Sequence, residues 1–293
     1  MHGRARRRDA GLVARMLLVL ALLAATCAAI AAGFVWLFEV RAGLWPYWSA
    51  LALALVGAAW LQYGRAETRL LRTVGARIVD PQSGPELHAL VERIAGMFDL
   101  QPPRIAVSRS PVPNSFAIGV RRSRAVVVVS EGLRRRLEPE ELEAVLAHEL
   151  AHVANSDAAV MTLAGVPRVV GFELYDVATR LYLWLFLWPI GALLYGWGSL
   201  LTLAVSRYRE YTADAGSALA TGRPAALMSA LQKLSGEVGL IPRDDLRSVA
   251  SLEPLFIVPV CPRRIELFAD HPPLEKRLAR LATIAREMGK TTT

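Results

Sequence analysis

Long apolar runs and short patterned polar segments divide this chain. Residues 16–38, "MLLVLALLAATCAAIAAGFVWLF", carry no charge. A helix of that length crosses a hydrocarbon core about 30 Å thick. Residues 44–63 are also uncharged and open with Trp45, Tyr47 and Trp48, side chains suited to a membrane–water interface. Only "EVRAG" separates the two runs, which predicts a tight helical hairpin. A third apolar region, 158–205, is uneven. Its second half, 181–205, predicts a span, and Pro189 and Gly191 predict a kink or re-entrant bend within it. Its first half, 158–177, is the weaker span because Arg168, Glu173 and Asp176 interrupt it.

The polar segments have shorter periods. Residues 83–100 place Leu87, Leu90, Val91, Ile94 and Phe98 on one helical stripe. Residues 104–108, 114–120 and 125–130 predict strands, the last two joined as a hairpin through "RRSR". The stretch "LEPEELEAVLAHELAHVANSD" predicts a helix. Pro139 suits its first turn, Glu140, Glu141 and Glu143 suit the positive end of its dipole, and Asn155-Ser156-Asp157 marks its end. Further helices are predicted at 208–221, 224–236 and 273–288, with 237–272 a long loop. The fold class is a mainly α membrane protein with a small β-sheet. Its organisation is an N-terminal arm and transmembrane hairpin (1–64), a first part of a polar domain (65–157), a hydrophobic hairpin (158–205) and a second part (206–293).

Composition agrees with a membrane class: 54% of the 293 residues are hydrophobic, 20% are charged, and the mean hydropathy is +0.34. The net charge of +8 fits arginines flanking spans. No basic stripe interleaved with aromatics suggests a nucleic-acid surface. Arg4, Arg6, Arg7, Arg8 and Arg15 precede the first run, Arg65, Arg69, Arg72 and Arg77 follow the second, and Arg41 stands alone between them. The positive-inside rule therefore puts both flanks in the cytoplasm. A cleaved signal peptide is the alternative for the first run, with Ala29-x-Ala31 as a possible cleavage site. The run is long for a signal, and cleavage would leave the orientation unchanged. Cys27 and Cys261 form no disulfide framework, in keeping with a reducing compartment.

Two of the chain's five histidines sit in "HELAH", residues 148–152. On a helix, positions i and i+4 share a face, so His148 and His152 can offer two imidazoles to one ion. Glu149, about 100° round the helix, can act as general base toward a water held by that ion. A catalytic zinc needs a third protein ligand. His2, His88 and His271 are candidates, and so is Glu210 in "SRYREYTADAG". Asp214, four residues after Glu210, could accept a hydrogen bond from a ligand histidine. The same segment also fits a solvated charged helix face. Topology favours Glu210. It shares a membrane side with His152 only if the residues between them cross the bilayer an even number of times, and 158–205 is long enough for two spans. Arg168 would then face the bundle rather than lipid. The ion would sit just above the membrane surface.

Taken together, the two N-terminal runs, "NSFAIG", "HELAH", the hydrophobic hairpin, "REYTADAGS" and "HPPLEKRLARL" resemble the HtpX-type membrane zinc metalloproteases, relatives of the CAAX-prenyl endopeptidase. The resemblance spans about residues 10–285. It implies a cytoplasmic α+β zincin-like domain holding one Zn2+ per chain through His148, His152 and Glu210. Glu149 is then the base and Asp214 supports a ligand. It implies a substrate strand along Asn114, Ser115, Phe116 and Ala117, in keeping with β-augmentation, and it places His271 and Arg277 near the scissile carbonyl, where donors stabilise an oxyanion. It further implies a multi-pass protein of the plasma membrane whose polypeptide substrates are misfolded or damaged membrane proteins. Ala151 stands where this family often has serine, and Ser115 where alanine is common.

Two other classes compete. An intramembrane protease would bury the HELAH helix in an apolar span, whereas Glu138, Glu140, Glu141 and Glu143 before it and Asn155-Ser156-Asp157 after it predict a water-facing helix. A non-catalytic scaffold would have lost Glu149 or Glu210, and both are present.

Overall fold

The computed structural model describes residues 10–40, 68, 70–119, 121–180, 187–238 and 271–289. The expectations for the second apolar run, for residues 239–270 of the long loop expected at 237–272, and for His2 and Cys261 lie outside the described residues. The described residues fall into two compact units. One holds Thr73–Met161 and the described part of Ser206–Thr293; the other holds Thr162–Val205 and the described part of Arg8–Arg72.

The apolar unit contains α1 (Ala10–Val40) and the pair built by the third apolar region. In that region, α5 (Asp157–Ala164) is followed after one residue by α6 (Val166–Arg180), and α7 (Leu187–Thr221) runs back antiparallel. Among the described residues two helices, Asp157–Asp176 and Trp188–Thr221, are long and apolar enough to cross a membrane, and Met16–Ile30 is a shorter apolar stretch. The weak run is thus a candidate span, with its break at Gly165, just before Pro167. Pro189 and Gly191 lie in a stretch that is helical from Leu187 to Thr221, and the part of the expected bend that falls on 181–186 lies outside the described residues. Gly191 serves close packing: a Cβ there would stand 2.6 Å from the Tyr175 nitrogen. Gly171 and Gly198 do the same, facing the Tyr195 and Arg168 nitrogens with still less room. Backbone approach of this kind is how helices associate where no hydrophobic effect drives them together. The Thr202 hydroxyl donates to the Ala164 carbonyl at 3.0 Å, and Trp197 Nε1 donates to Thr26 Oγ1 at 3.0 Å.

The polar unit is α+β. A four-stranded sheet has the order β1 (Ala76–Ile78), β2 (Arg104–Ser108), β4 (Val126–Ser130), β3 (Ser115–Ile118). The β3–β4 pair is the antiparallel hairpin expected, closed by a 3-10 turn at Arg122–Arg124. β2 pairs parallel to β4, from Arg104↔Val126 to Ser108↔Ser130. Val126–Val129 are buried on both faces, as central strands are. On the sheet and around it pack α2 (Pro85–Met97), α3 (Glu131–Arg136), α4 (Pro139–Ala154), α8 (Pro224–Val238) and α9 (Leu274–Glu287). Val91, Ile94, Ile105, Val127, Leu146, Leu150, Leu231 and Leu281 meet in one core.

The HELAH helix, α4, lies at the centre of that core rather than facing water. Its residues from Glu143 to Ala151 are all buried. Of the charges that predicted solvent, Glu138 and Glu140 are exposed, whereas Glu141 and Glu143 are buried and paired. Glu143 binds Arg93 at 2.5 Å, and Glu141 accepts from Lys233 at 2.8 Å, Ser229 at 2.6 Å and the Glu138 N–H at 2.9 Å. The last bond caps the helix start, with Pro139 at its first position.

Candidate metal centre

Two helices bring the site together, and small residues let them approach. Ser217 Oγ of α7 donates to the Ala144 carbonyl of α4 at 2.6 Å. One residue earlier, a Cβ at Gly216 would meet Ala151 Cβ at 3.0 Å. The alanine in place of serine at 151 therefore lies at the helix–helix contact. This closeness sets Glu210, six residues before Gly216, opposite His148 and His152.

The three side chains offer ligand atoms that all lie within 4.8 Å of one another. His148 Nε2 and His152 Nε2 are 3.1 Å apart, and Glu210 oxygens lie 3.6 Å from the first and 3.5 Å from the second. A tetrahedral zinc with bonds of about 2.0–2.1 Å holds its ligand atoms roughly 3.3–3.4 Å apart, so the spacing fits such an ion. The protonation pattern agrees. His148 Nδ1 stands 3.1 Å from Asp214 Oδ1, and His152 Nδ1 stands 2.5 Å from Asp157 Oδ2. A carboxylate beside each Nδ1 favours a proton there, so that each Nε2 could offer its lone pair to an ion that displaces the remaining proton. Burial pulls the His148 imidazole toward neutrality, but Asp214 and Glu210 outweigh it and hold its pKa up at about 9. The surroundings are built for a positive charge.

Glu149 is buried, 4% exposed. Burial raises its carboxyl above the ordinary value, against the opposing pull of His148 and His152. Arg277 is fully enclosed, and its fork donates to Asp214 through Nε at 2.9 Å and Nη2 at 2.7 Å, with Nη1 3.5 Å from Glu210. Burial weakens the guanidinium charge, yet Asp214 and Glu210 hold its pKa above the usual value. His271 is buried with Nδ1 3.4 Å from Glu210 Oε2. Neither His271 ring nitrogen has a hydrogen-bond partner among the described residues. Asn114 starts the edge strand, its N–H donating to Ser130 Oγ at 2.9 Å. Among the described residues β3 is paired on one side only, by β4. Phe116 and Ser115 are buried on it, and Ala117 packs against the core.

Asp157, expected with Asn155 and Ser156 to mark the end of the HELAH helix, starts α5 and stands beside His152. The signal it leaves in the sequence is its position, an acid five residues after His152.

Residues 81–285 match the family model described as peptidase family M48. The chain belongs to peptidase family M48. Its relatives include protease HtpX homolog 2 of Methanosarcina mazei, 39% identical over 96% of this chain and 98% of that one. Protease HtpX homolog of Moorella thermoacetica is 39% identical over 96% of each chain. Protease HtpX homolog 1 of Streptomyces coelicolor is 40% identical over 81% of this chain and 83% of the relative. The crystal structure of S. mikatae Ste24p shares the fold, with a TM-score of 0.53 at 17% identity, over 92% of this chain and 67% of that one. This M48 chain is thus an HtpX-type metalloprotease, a membrane peptidase that acts on polypeptides, with a His/His/Glu cluster compatible with a metal.

Proposed function

We propose that this M48 peptidase is a multi-pass endopeptidase of the plasma membrane that uses one zinc ion to cleave misfolded or damaged membrane proteins at the cytoplasmic face. The observation that carries the reading is the spacing of His148, His152 and Glu210, close to the edge lengths of a zinc tetrahedron. When bound, zinc would polarise the scissile carbonyl and lower the pKa of the attacking water.

The chain's own residues supply the rest. The edge of β3 that no described strand pairs would bind an extended substrate by backbone hydrogen bonds, which are tolerant of sequence and suit unfolded clients. Glu149, with its carboxyl raised by burial, would take the water's proton and pass it to the leaving amine. Asp214 would orient His148. Arg277, its Nε and Nη2 held by Asp214, would act mainly through that carboxylate and by its charge beside Glu210. His271, with its ring nitrogens free of bonds to described residues, would be the donor to the oxyanion. The cytoplasmic orientation rests on the arginine distribution around the first two apolar runs.

The test compares casein cleavage by detergent-purified, zinc-loaded chain and by Glu149→Gln. Loss of cleavage by at least about 100-fold with zinc still bound is expected, from the usual size of general-base effects. Equal cleavage by the variant would refute the assignment of the base.

A further inference from the structure

Each HELAH histidine has a carboxylate beside Nδ1, and at His152 the contact is a hydrogen bond. His148 Nδ1 faces Asp214, which Arg277 grips; His152 Nδ1 faces Asp157, and Arg209 Nε lies 3.2 Å from that same Asp157 oxygen. Asp157 is 5% exposed, so its charge is expensive unless it is paired and hydrogen-bonded. The backbone is arranged to bring it back. Ser156, between α4 and α5, takes a left-handed conformation with φ of 57°, which residues other than glycine rarely adopt. Its hydroxyl accepts from Arg122 Nε at 2.9 Å, and its carbonyl accepts the Ala159 N–H at 3.0 Å. The turn aims the first side chain of α5 at the second histidine of HELAH. Arg209, which meets Asp157 from α7, is the neighbour of Glu210.

We infer that Asp157, held by Arg209, is a positioning residue of the metal centre: it fixes the Nδ1–H tautomer and ring orientation of His152 so that Nε2 points at the ion. The two helices that supply the ligands are thereby tied together at the site by a carboxylate from one side of the α4–α5 turn and a guanidinium beside Glu210. This rests on the zinc reading above. An acid that only started a helix would have no reason to stand 2.5 Å from a ring nitrogen five residues earlier.

The experiment uses the full chain in detergent, stripped of metal. Zinc affinity is measured by competition with a chromophoric chelator, and the absorption of the cobalt-loaded chain reports the ligand field. The parent, His148→Ala, Asp157→Asn and Asp157→Ala are compared, with the melting temperature of each metal-free chain as the control for folding. The parent should bind one equivalent and His148→Ala should not. Asp157→Asn and Asp157→Ala should weaken zinc about 10–100-fold and alter the cobalt spectrum, with the metal-free melting temperature of Asp157→Asn unchanged. Affinity within about threefold of the parent in both Asp157 variants, well short of the usual effect, would overturn the inference and leave the metal centre standing. Parent chain that binds no zinc, or His148→Ala that binds it equally, would overturn both.

Discussion

Alanine at Gly216 and alanine at Gly236 are the same substitution in two helices, and the structure gives them opposite signs. Either one removes unfolded-chain entropy and improves helix propensity, worth about 0.5–1 kcal/mol. At Gly236, exposed in α8, a new methyl meets nothing within 4 Å, so the gain stands whole. At Gly216 the methyl would lie 3.0 Å from Ala151 Cβ and 3.6 Å from Phe98 Cε1. Carbon atoms prefer roughly 3.5–4.0 Å. The helices must part by a fraction of an ångström or distort, and overpacking of this kind costs about 1–3 kcal/mol. The steric cost outweighs the propensity gain, leaving a net loss of roughly 1–2 kcal/mol. Parting α7 from α4 also draws Glu210 away from His148 and His152, so zinc affinity falls together with stability. Melting of the metal-free chain in detergent reads the first effect and chelator competition the second. A Gly216→Ala chain that melts higher than the parent by the same margin as Gly236→Ala, with parental zinc affinity, would refute the claim that this contact sets the site.

Two further substitutions test other parts of the polar unit. Ser115 is fully buried, and its hydroxyl has no partner among the described residues; Ser115→Ala is expected to stabilise the chain by about 1–3 kcal/mol without changing KM for casein, because the strand offers its backbone to substrate. Glu141 is buried, which alone would raise its carboxyl, but Lys233, Ser229 and the Glu138 N–H outweigh that and hold it below the ordinary 4.5. A depressed folded pKa stabilises above the ordinary value and ceases to do so as pH falls through the folded one. Glu141→Gln should therefore cost about 1 kcal/mol at pH 7, where half-exposed Lys233 limits the effect, and the difference from the parent should vanish in acid melts well below pH 4.5.

The features legible in the sequence were those with a local period or a fixed spacing. The stripe from Leu87 to Ile94 and the i, i+4 pairing of His148 with His152 are set within one helix, and the structure shows both on the elements expected. What escaped depends on partners distant in sequence. The parallel register of Arg104–Ser108 on Val126–Ser130 leaves no mark in a hydrophobic pattern that any buried strand would show. Glu141 and Glu143 read as solvated because Arg93, Arg223 and Lys233, their partners, lie about 50–90 residues away. Gly191 looked like a helix bender because a missing side chain can signal either flexibility or a neighbour's backbone, and only the Tyr175 contact separates the two. Asp157 was invisible for the same reason: its partners His152 and Arg209 meet only after the chain has turned at Ser156.

The polar unit is made from two stretches of chain with the apolar hairpin between them, and this orders events during synthesis. HELAH leaves the ribosome first, and Glu210 follows 58 residues after His152. At about 5–20 residues per second that interval lasts roughly 3–12 s. During it the nascent chain holds His148, Glu149 and His152 but not Glu210, while the hairpin residues are emerging. On the metal-site assignment proposed above, such a chain could not attack its neighbours in the crowded space near the ribosome and insertion machinery. Its hydrolytic competence would arrive only when the hairpin has been made and the segment that carries Glu210 has followed it.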